Sequence, residues 1–371
     1  YARNHCFKNF LMSSKIYYDI SEVNPKEWAK SINPNNLFIN YNFLSHFSKH
    51  QKELVHIYYL DGKNRFYANI FNINIRGLKG YSNYKLFKFI IKLFRFKFLY
   101  FTNSFLTNIS SFEINQDFNS DKLVSSILED KNADFIVLPD FLFEHTRNSI
   151  VDAKFHKIEV EEDMFLDIQS SWTNFESYIN SLKTKYRKKI KLIYEKSSCL
   201  KIKQLTSSDL HNFKEEIQNL FNNVINENKF QGKKFKTSIF EDIILDYPNF
   251  KIFGYFLEDK LVAFSSEFAN FDNHYSYFVG FDYGLNKKYA IYGRILCESI
   301  NNAILGKKNK VVFGRTANEF KSNFGAMPKK SFVYLKVRNK FLAFILKNYI
   351  KNIKPKKWKQ RNPFKNYKLK A

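Results

Sequence analysis

The sequence predicts an α/β protein (α+β, with a mixed sheet) built as two tandem units. Three observations lead there. The chain has 371 residues, 44% of them hydrophobic, enough to bury two cores. A helix followed by an antiparallel meander occurs once in each half. The second half then continues in a β-β-β-α-β-α-β order, which is the order of a mixed sheet.

In the first half, NFLSHFSKHQKE reads as a helix. Residues 55–74 read as a hairpin: HIYYL alternates, Asp61-Gly62 turns, and FYANIFNINI alternates again. Ser120–Asn132 reads as a helix, Ala133–Pro139 as a short buried strand and Glu159–Asp167 as another strand. Trp172–Ser198 reads as one long charged helical segment. The domain boundary is set just before it, giving domains 1–165 and 166–371, the second with a basic C-terminal tail.

In the second half, IFEDIILDY reads as a helix and KIFGYFL, LVAFSSEFA and HYSYFVGF as a three-strand meander. A loop over 282–289 leads into helix Ala290–Leu305, with Gly306 as its C-cap. Strand Lys310–Phe313, the turn Gly314-Arg315-Thr316, a short helix near Asn318–Phe324 and strand Ser331–Arg338 complete the unit. Strands 274–281 and 310–313 become parallel neighbours through a right-handed crossover. Ligands in such sheets bind beyond the carboxyl ends of the strands, here Gly280-Phe281-Asp282 and Gly314-Arg315-Thr316.

Net charge is +25, and its placement is uneven. Gly62 to Phe112 holds nine Lys/Arg and no acid, and the stretch after Glu319 holds sixteen and no acid. Such tracts attract anionic partners: phospholipid, nucleic acid or a phosphorylated cofactor. Lys85, Lys88, Lys92 and Arg95 fall on one helical stripe with apolar residues between them, the pattern of an interfacial helix. The tail, with Trp358 and Phe364, suits a membrane surface or a single-stranded nucleic acid or tRNA. Three widely spaced cysteines fit a reducing compartment. With no 18-residue apolar run, the expected location is cytoplasmic, peripheral on the inner face of the membrane.

VGFD followed by a helix, and then VVFGRTANEFKSNFGAMP, resembles the BioF2-like and Fem-like branch of the GCN5-related N-acetyltransferase superfamily. Members of that branch carry two acyl-CoA N-acyltransferase-like domains in tandem. W-x2-FESYINSLKTKYRKKIK is similar to its segment before the second domain, and LFINYNFLSHFSK to its entry helix. The resemblance implies an N-acyltransferase that uses acyl-CoA or another acyl thioester, needs no metal and acts on an amine of a lipid or cell-envelope precursor. A Fem-like transferase using aminoacyl-tRNA is the alternative within the fold. Outside it stands a non-catalytic membrane or nucleic-acid binding protein, which predicts that Glu267 and Arg315 share no cleft. The superfamily's pyrophosphate loop, Arg/Gln-x-x-Gly-x-Gly/Ala, is reduced here to Lys287–Arg294 with one glycine, Gly293.

Acyl transfer needs a neutral amine, a held carbonyl and a donor for the oxyanion. The resemblance puts that donor on a backbone N–H where the two parallel strands separate, at Gly280 and Phe281. Glu267, in an otherwise apolar strand, is a candidate base or a structural ion. His274 is a candidate base or a satisfied polar group, and Tyr277 a proton donor or a core tyrosine. Asp282 caps the next segment or holds the acceptor. Arg315 follows a buried strand, where its guanidinium reaches a phosphate or carboxylate, with Lys321 nearby. Glu319, four residues on, is read as its orienting partner. Arg187 lies on a basic helix face and is a candidate for the anionic donor. His46 and His50 are spaced i, i+4, but no HExxH glutamate accompanies them, and no metal is expected.

Overall fold

The computed structural model describes residues 14–30, 32–33, 36–74, 95–114, 127, 132–144, 155–227 and 235–365. Of the expected helix at 120–132 only residues 127 and 132 are among them, and the basic stretch 85–94 and the end of the tail lie outside.

The first half opens with β1 (Lys15–Tyr17) and α1 (Pro25–Ala29), capped by Asn24 with Pro25 at its first position. Helix α2 (Tyr41–His50) follows, capped by Asn40 and burying Phe43, Leu44 and Phe47. Strands β2 (Val55–Asp61) and β3 (Asn64–Asn74) form the predicted hairpin, turned by Gly62 at φ 57°. Then come β4 (Arg95–Tyr100), β5 (Phe112–Glu113), β6 (Phe135–Pro139), α3 (Phe141–Glu144) and β7 (His156–Asp167). Arg95, read above as the end of a basic helical stripe, thus belongs to a strand.

The segment read as one helix is two, α4 (Phe175–Ser181) and α5 (Thr184–Lys196). Between them Leu182 makes an isolated bridge to Phe364, and Lys183 is extended, donating its N–H to the Pro363 carbonyl. The returning tail breaks the helix. Strand β8 (Leu200–Gln204), α6 (Ser207–Asn212), α7 (Lys214–Glu227) and α8 (Ile239–Asp246) lead to the meander β9 (Phe250–Leu257), β10 (Lys260–Ala269) and β11 (Asn273–Phe281). The expected loop after it is instead a short helix, α9 (Tyr283–Tyr289), because Asp282 caps it by accepting from the Leu285 N–H at 2.9 Å. The chain ends with α10 (Ile291–Leu305), β12 (Lys310–Gly314), α11 (Asn318–Ser322), β13 (Met327–Val337) and α12 (Lys340–Lys351).

The main sheet runs β1-β2-β3-β4-β6-β13-β7-β12-β11-β10-β9-β8. Two neighbours are parallel, β4/β6 in the first half and β11/β12 in the second; the rest are antiparallel. At the centre the halves exchange strands. β13, from the end of the chain, pairs with β6, and β7, from the first half, pairs with β12. The boundary expected at 165/166 falls inside β7.

The two halves also share an aromatic core. Phe105 lies 5.0 Å from Phe278, and Phe38 lies 5.7 Å from Phe268. His46 and His50 join the halves as well, their Nε2 atoms 2.6 Å from Asp246 and 2.8 Å from Asp242. Arg65, counted above in the first basic tract, is interior and donates to the carbonyls of Glu27, Trp28 and Gly62. Among the described residues no helix is long and apolar enough to cross a membrane.

Candidate functional site

The site begins where β11 and β12 separate. Their parallel pairing covers only Asn273–Tyr275 against Lys310–Val312. Beyond it, β11 continues to Phe281 along β10 alone. A bulge lies at the fork: register passes from Ser265↔Val279 to Glu267↔Ser276, so Tyr277 and Phe278 together oppose Ser266. Ser266 Oγ accepts the Phe278 N–H at 2.8 Å, satisfying an amide the bulge takes off the ladder. Tyr277 and Phe278 both pack toward the first half, against the shared core. There the Tyr277 hydroxyl accepts the Thr107 N–H at 3.1 Å and bonds its Oγ1 at 2.9 Å.

Across the fork, Gly314 has φ +66°, and a Cβ there would lie 3.4 Å from the Tyr277 ring. Thr316 (φ 67°) and Ala317 (φ 51°) are also left-handed, a strained conformation for a β-branched residue. Lys321 holds this turn. Its Nζ is buried and donates to the carbonyls of Phe313, Gly314 and Arg315 at 2.8, 3.1 and 2.8 Å. All three ammonium protons are thereby used, which makes Lys321 a clamp on Arg315 rather than a ligand contact. Burial pulls its pKa down to about 7, with the Asp163 and Glu161 carboxylates acting against that shift.

Arg315 faces the first half. Its Nε is 3.5 Å from Asp163 Oδ1, with side chains 26% and 15% exposed, and Nε is buried with no hydrogen-bond partner among the described residues. Asp163 Oδ2 accepts from Ser331 Oγ at 3.1 Å. Burial works against the guanidinium's charge, but Asp163, Tyr100, Tyr277 and Asp140 outweigh it and its pKa is raised. Tyr100 closes the parallel pairing of β4 with β6, and Asp140 follows β6 as Arg315 follows β12. Asp140 accepts the N–H groups of Phe141 and Phe332. Burial raises the pKa of both Tyr100 and Tyr277, so each keeps its proton at neutral pH. The carboxyl ends of both parallel pairs therefore meet in one polar cluster.

Other expected residues lie elsewhere. Glu267 and His274 do come together, Oε2 to Nε2 at 3.3 Å, but both are buried beneath α10, where Asn302 donates to Glu267 at 2.9 Å. Among the described residues neither is hydrogen-bonded or ion-paired to Arg315, in line with what the non-catalytic alternative expected of Glu267. Glu319 pairs with Arg361 of the tail, not with Arg315; Asp163, reached through strand exchange, has that place. Gly280 lets α7 cross β11, since a Cβ would come within 2.7 Å of the Leu220 and Phe221 backbone. Phe281 packs between Tyr283, edge-on at 5.0 Å, and Tyr292, tilted at 5.6 Å. Arg187 is a surface residue whose hydrogen bond is to Thr184.

The stretch Lys287–Arg294, expected to be a reduced pyrophosphate loop, is formed by the end of α9 and the start of α10. Ala290, at φ 52°, links α9 to α10. Asn286 Oδ1 accepts the Tyr292 N–H at 2.8 Å, occupying the start of α10. Gly293 lets α10 approach α5, where a Cβ would lie 2.8 Å from Ile193 Cδ1.

No family model matches the chain, and no curated protein matches it in sequence. Among solved structures, FemX superposes with a TM-score of 0.52 over 90% of this chain and 99% of its own, at 10% identity. The chain has the GNAT-like, Fem-type fold. The structure of L-PGS from Bacillus licheniformis is similar over 86% of this chain and 97% of its own (TM-score 0.48, 10% identity). The C-terminal domain of a putative lysylphosphatidylglycerol synthetase from Agrobacterium fabrum is similar over 87% and 93% (TM-score 0.46, 13% identity). Sequence reasoning missed Tyr100, Thr107, Asp140 and Asp163. A usable signal existed for one: Asp140 ends the buried run FIVLP as Arg315 ends VVFG.

Proposed function

We propose that the protein is an acyltransferase that moves an acyl group from an activated carrier to an amine at the β11/β12 fork. The observation that carries this is the fork itself, with Tyr277 and Arg315 on its two sides and Asp163 reaching them from the other half. In this reaction the amine nitrogen bonds to the acyl carbon and the bond to the carrier breaks. The unpaired edge of β11 offers N–H groups to the oxyanion. Arg315 binds an anionic group of the donor or acceptor, and Asp163 orients it. Tyr277 supplies a proton to the leaving carrier and takes back the one that the amine nitrogen loses, so the site ends with its protons unchanged. The acceptor is an amine of a lipid or cell-envelope precursor, met at a membrane surface.

The donor is an acyl thioester, acyl-CoA being its simplest form. A second donor class, an aminoacyl ester on tRNA, is favoured by one observation: Asn286 and α9 occupy the helix start that would seat a pyrophosphate. A thermal-shift series tests both. Acyl-CoAs from acetyl to palmitoyl and charged tRNA are added to wild type and to Arg315→Ala. One donor class should stabilise the wild type and not the variant. If no donor shifts either protein, acyl transfer is refuted.

A further inference from the structure

Helix α12 carries apolar side chains on two opposite sides. Leu342, Leu346 and Ile350, at i, i+4 and i+8, pack down on Phe135, Ile158 and Leu335. On the other side Phe341 and Phe344 are 74% and 79% exposed, with Ile345 at 41%. A monomeric protein has no solvent-side reason to present two whole phenyl rings and an isoleucine along one helix.

The charges around this face say what covers it. Lys340, Lys347, Lys351, Lys354, Lys356 and Lys357 are all exposed, and no acid follows Glu319 anywhere in the chain. Apolar side chains at i, i+3 and i+4 with cations at their flanks are the arrangement of a helix lying in an anionic lipid interface. A nucleic acid would ask for aromatic platforms along a groove; here the rings project from a convex helix and share their face with an isoleucine. Among the described residues, the aromatics of the tail, Trp358 and Phe364, are already engaged. Trp358 donates to Glu162 at 2.7 Å, and Phe364 packs 5.5 Å from Trp172. In the sequence, the stretch 75–94 between β3 and β4 has five cations and no acid.

We propose that α12 docks the protein on an anionic membrane, with Phe341, Phe344 and Ile345 among the acyl chains and the lysines at the headgroups. The docking face adjoins the candidate site. Phe96 and Phe98 of β4 pack beneath α12, and Tyr100, the next residue on that face, enters the polar cluster roughly 7 Å further on. Docking makes the membrane setting of the proposed reaction specific, yet it needs none of that chemistry, so either can fail alone.

The test is co-sedimentation of the full chain with phosphatidylcholine vesicles, with and without phosphatidylglycerol. Wild type should bind the anionic vesicles only. Phe341→Ser/Phe344→Ser should weaken binding at least about tenfold, and Lys340→Glu/Lys347→Glu should weaken it in a salt-dependent way, with melting temperatures unchanged. Equal binding by all three proteins overturns the proposal. So does a fall in melting temperature of the Phe variant without vesicle binding by wild type, which would mean the chain covers its own helix. Retention of a short RNA in place of vesicles, lost in the same variants, also overturns it.

Discussion

Arg315 and Asp163 approach to 3.5 Å from opposite halves of the chain, one after β12 and the other in β7. The strand exchange makes this contact possible, because β7 leaves the first half to pair with β12. Removing one partner leaves a largely buried charge alone. Asp163→Asn should cost about 3 kcal/mol, and adding Arg315→Ala should restore part of it. A double-mutant cycle read by urea denaturation checks the coupling.

Lys321 is expected to stabilise the fork rather than bind ligand. Lys321→Met removes three donors from the carbonyls of residues 313–315. The expected loss is on the order of 3 kcal/mol or more. Arginine should not rescue it, because a planar guanidinium cannot follow three convergent acceptors. Chemical denaturation with an unchanged m-value is the readout.

His56 sets an acid limit on stability. It is buried beside Tyr67 and Gln51, and burial lowers its pKa from 6.5 to about 4. Between those values the unfolded chain binds a proton that the folded chain does not, so stability falls as pH falls through that window. The expected loss by pH 4 is about 3 kcal/mol. Melting curves from pH 7 to pH 4 measure it, and His56→Gln should flatten the contribution.

Gly280 is expected to fail as alanine. The added Cβ meets the α7 backbone at 2.7 Å, which no side-chain rotation relieves. Gly280→Ala should destabilise by about 2 kcal/mol, read as a lower denaturation midpoint.

Much of the second half was legible because its signals are local. The three strands of the meander are separated by turns, Gly306 ends its helix, and the crossover from β11 to β12 follows from strand order. Arg315 was legible as a cation after a buried strand. Asp163 was not, because it faces Arg315 only through an exchange of strands that no local pattern encodes. The same non-local event misled Glu319: the i, i+4 spacing to Arg315 is real, but the tail returns Arg361 to it. Glu267 drew attention as a carboxylate in an apolar strand, and Asn302 and His274 account for it. The bulge that aims Tyr277 left no mark in the alternation of HYSYFVGF, since both of its residues are aromatic.

The central claim is that chemistry occurs at the fork between Tyr277 and Arg315. The most direct measurement is amine-dependent release of free carrier from each donor, as thiol from thioesters or as uncharged tRNA. Wild type is compared with Tyr277→Phe, Arg315→Ala and Glu267→Gln at matched folded fraction. The account predicts release from one donor class, slowed by on the order of 10-fold or more in Tyr277→Phe and further in Arg315→Ala, with Glu267→Gln close to wild type. Release abolished by Glu267→Gln and untouched by the other two would contradict it.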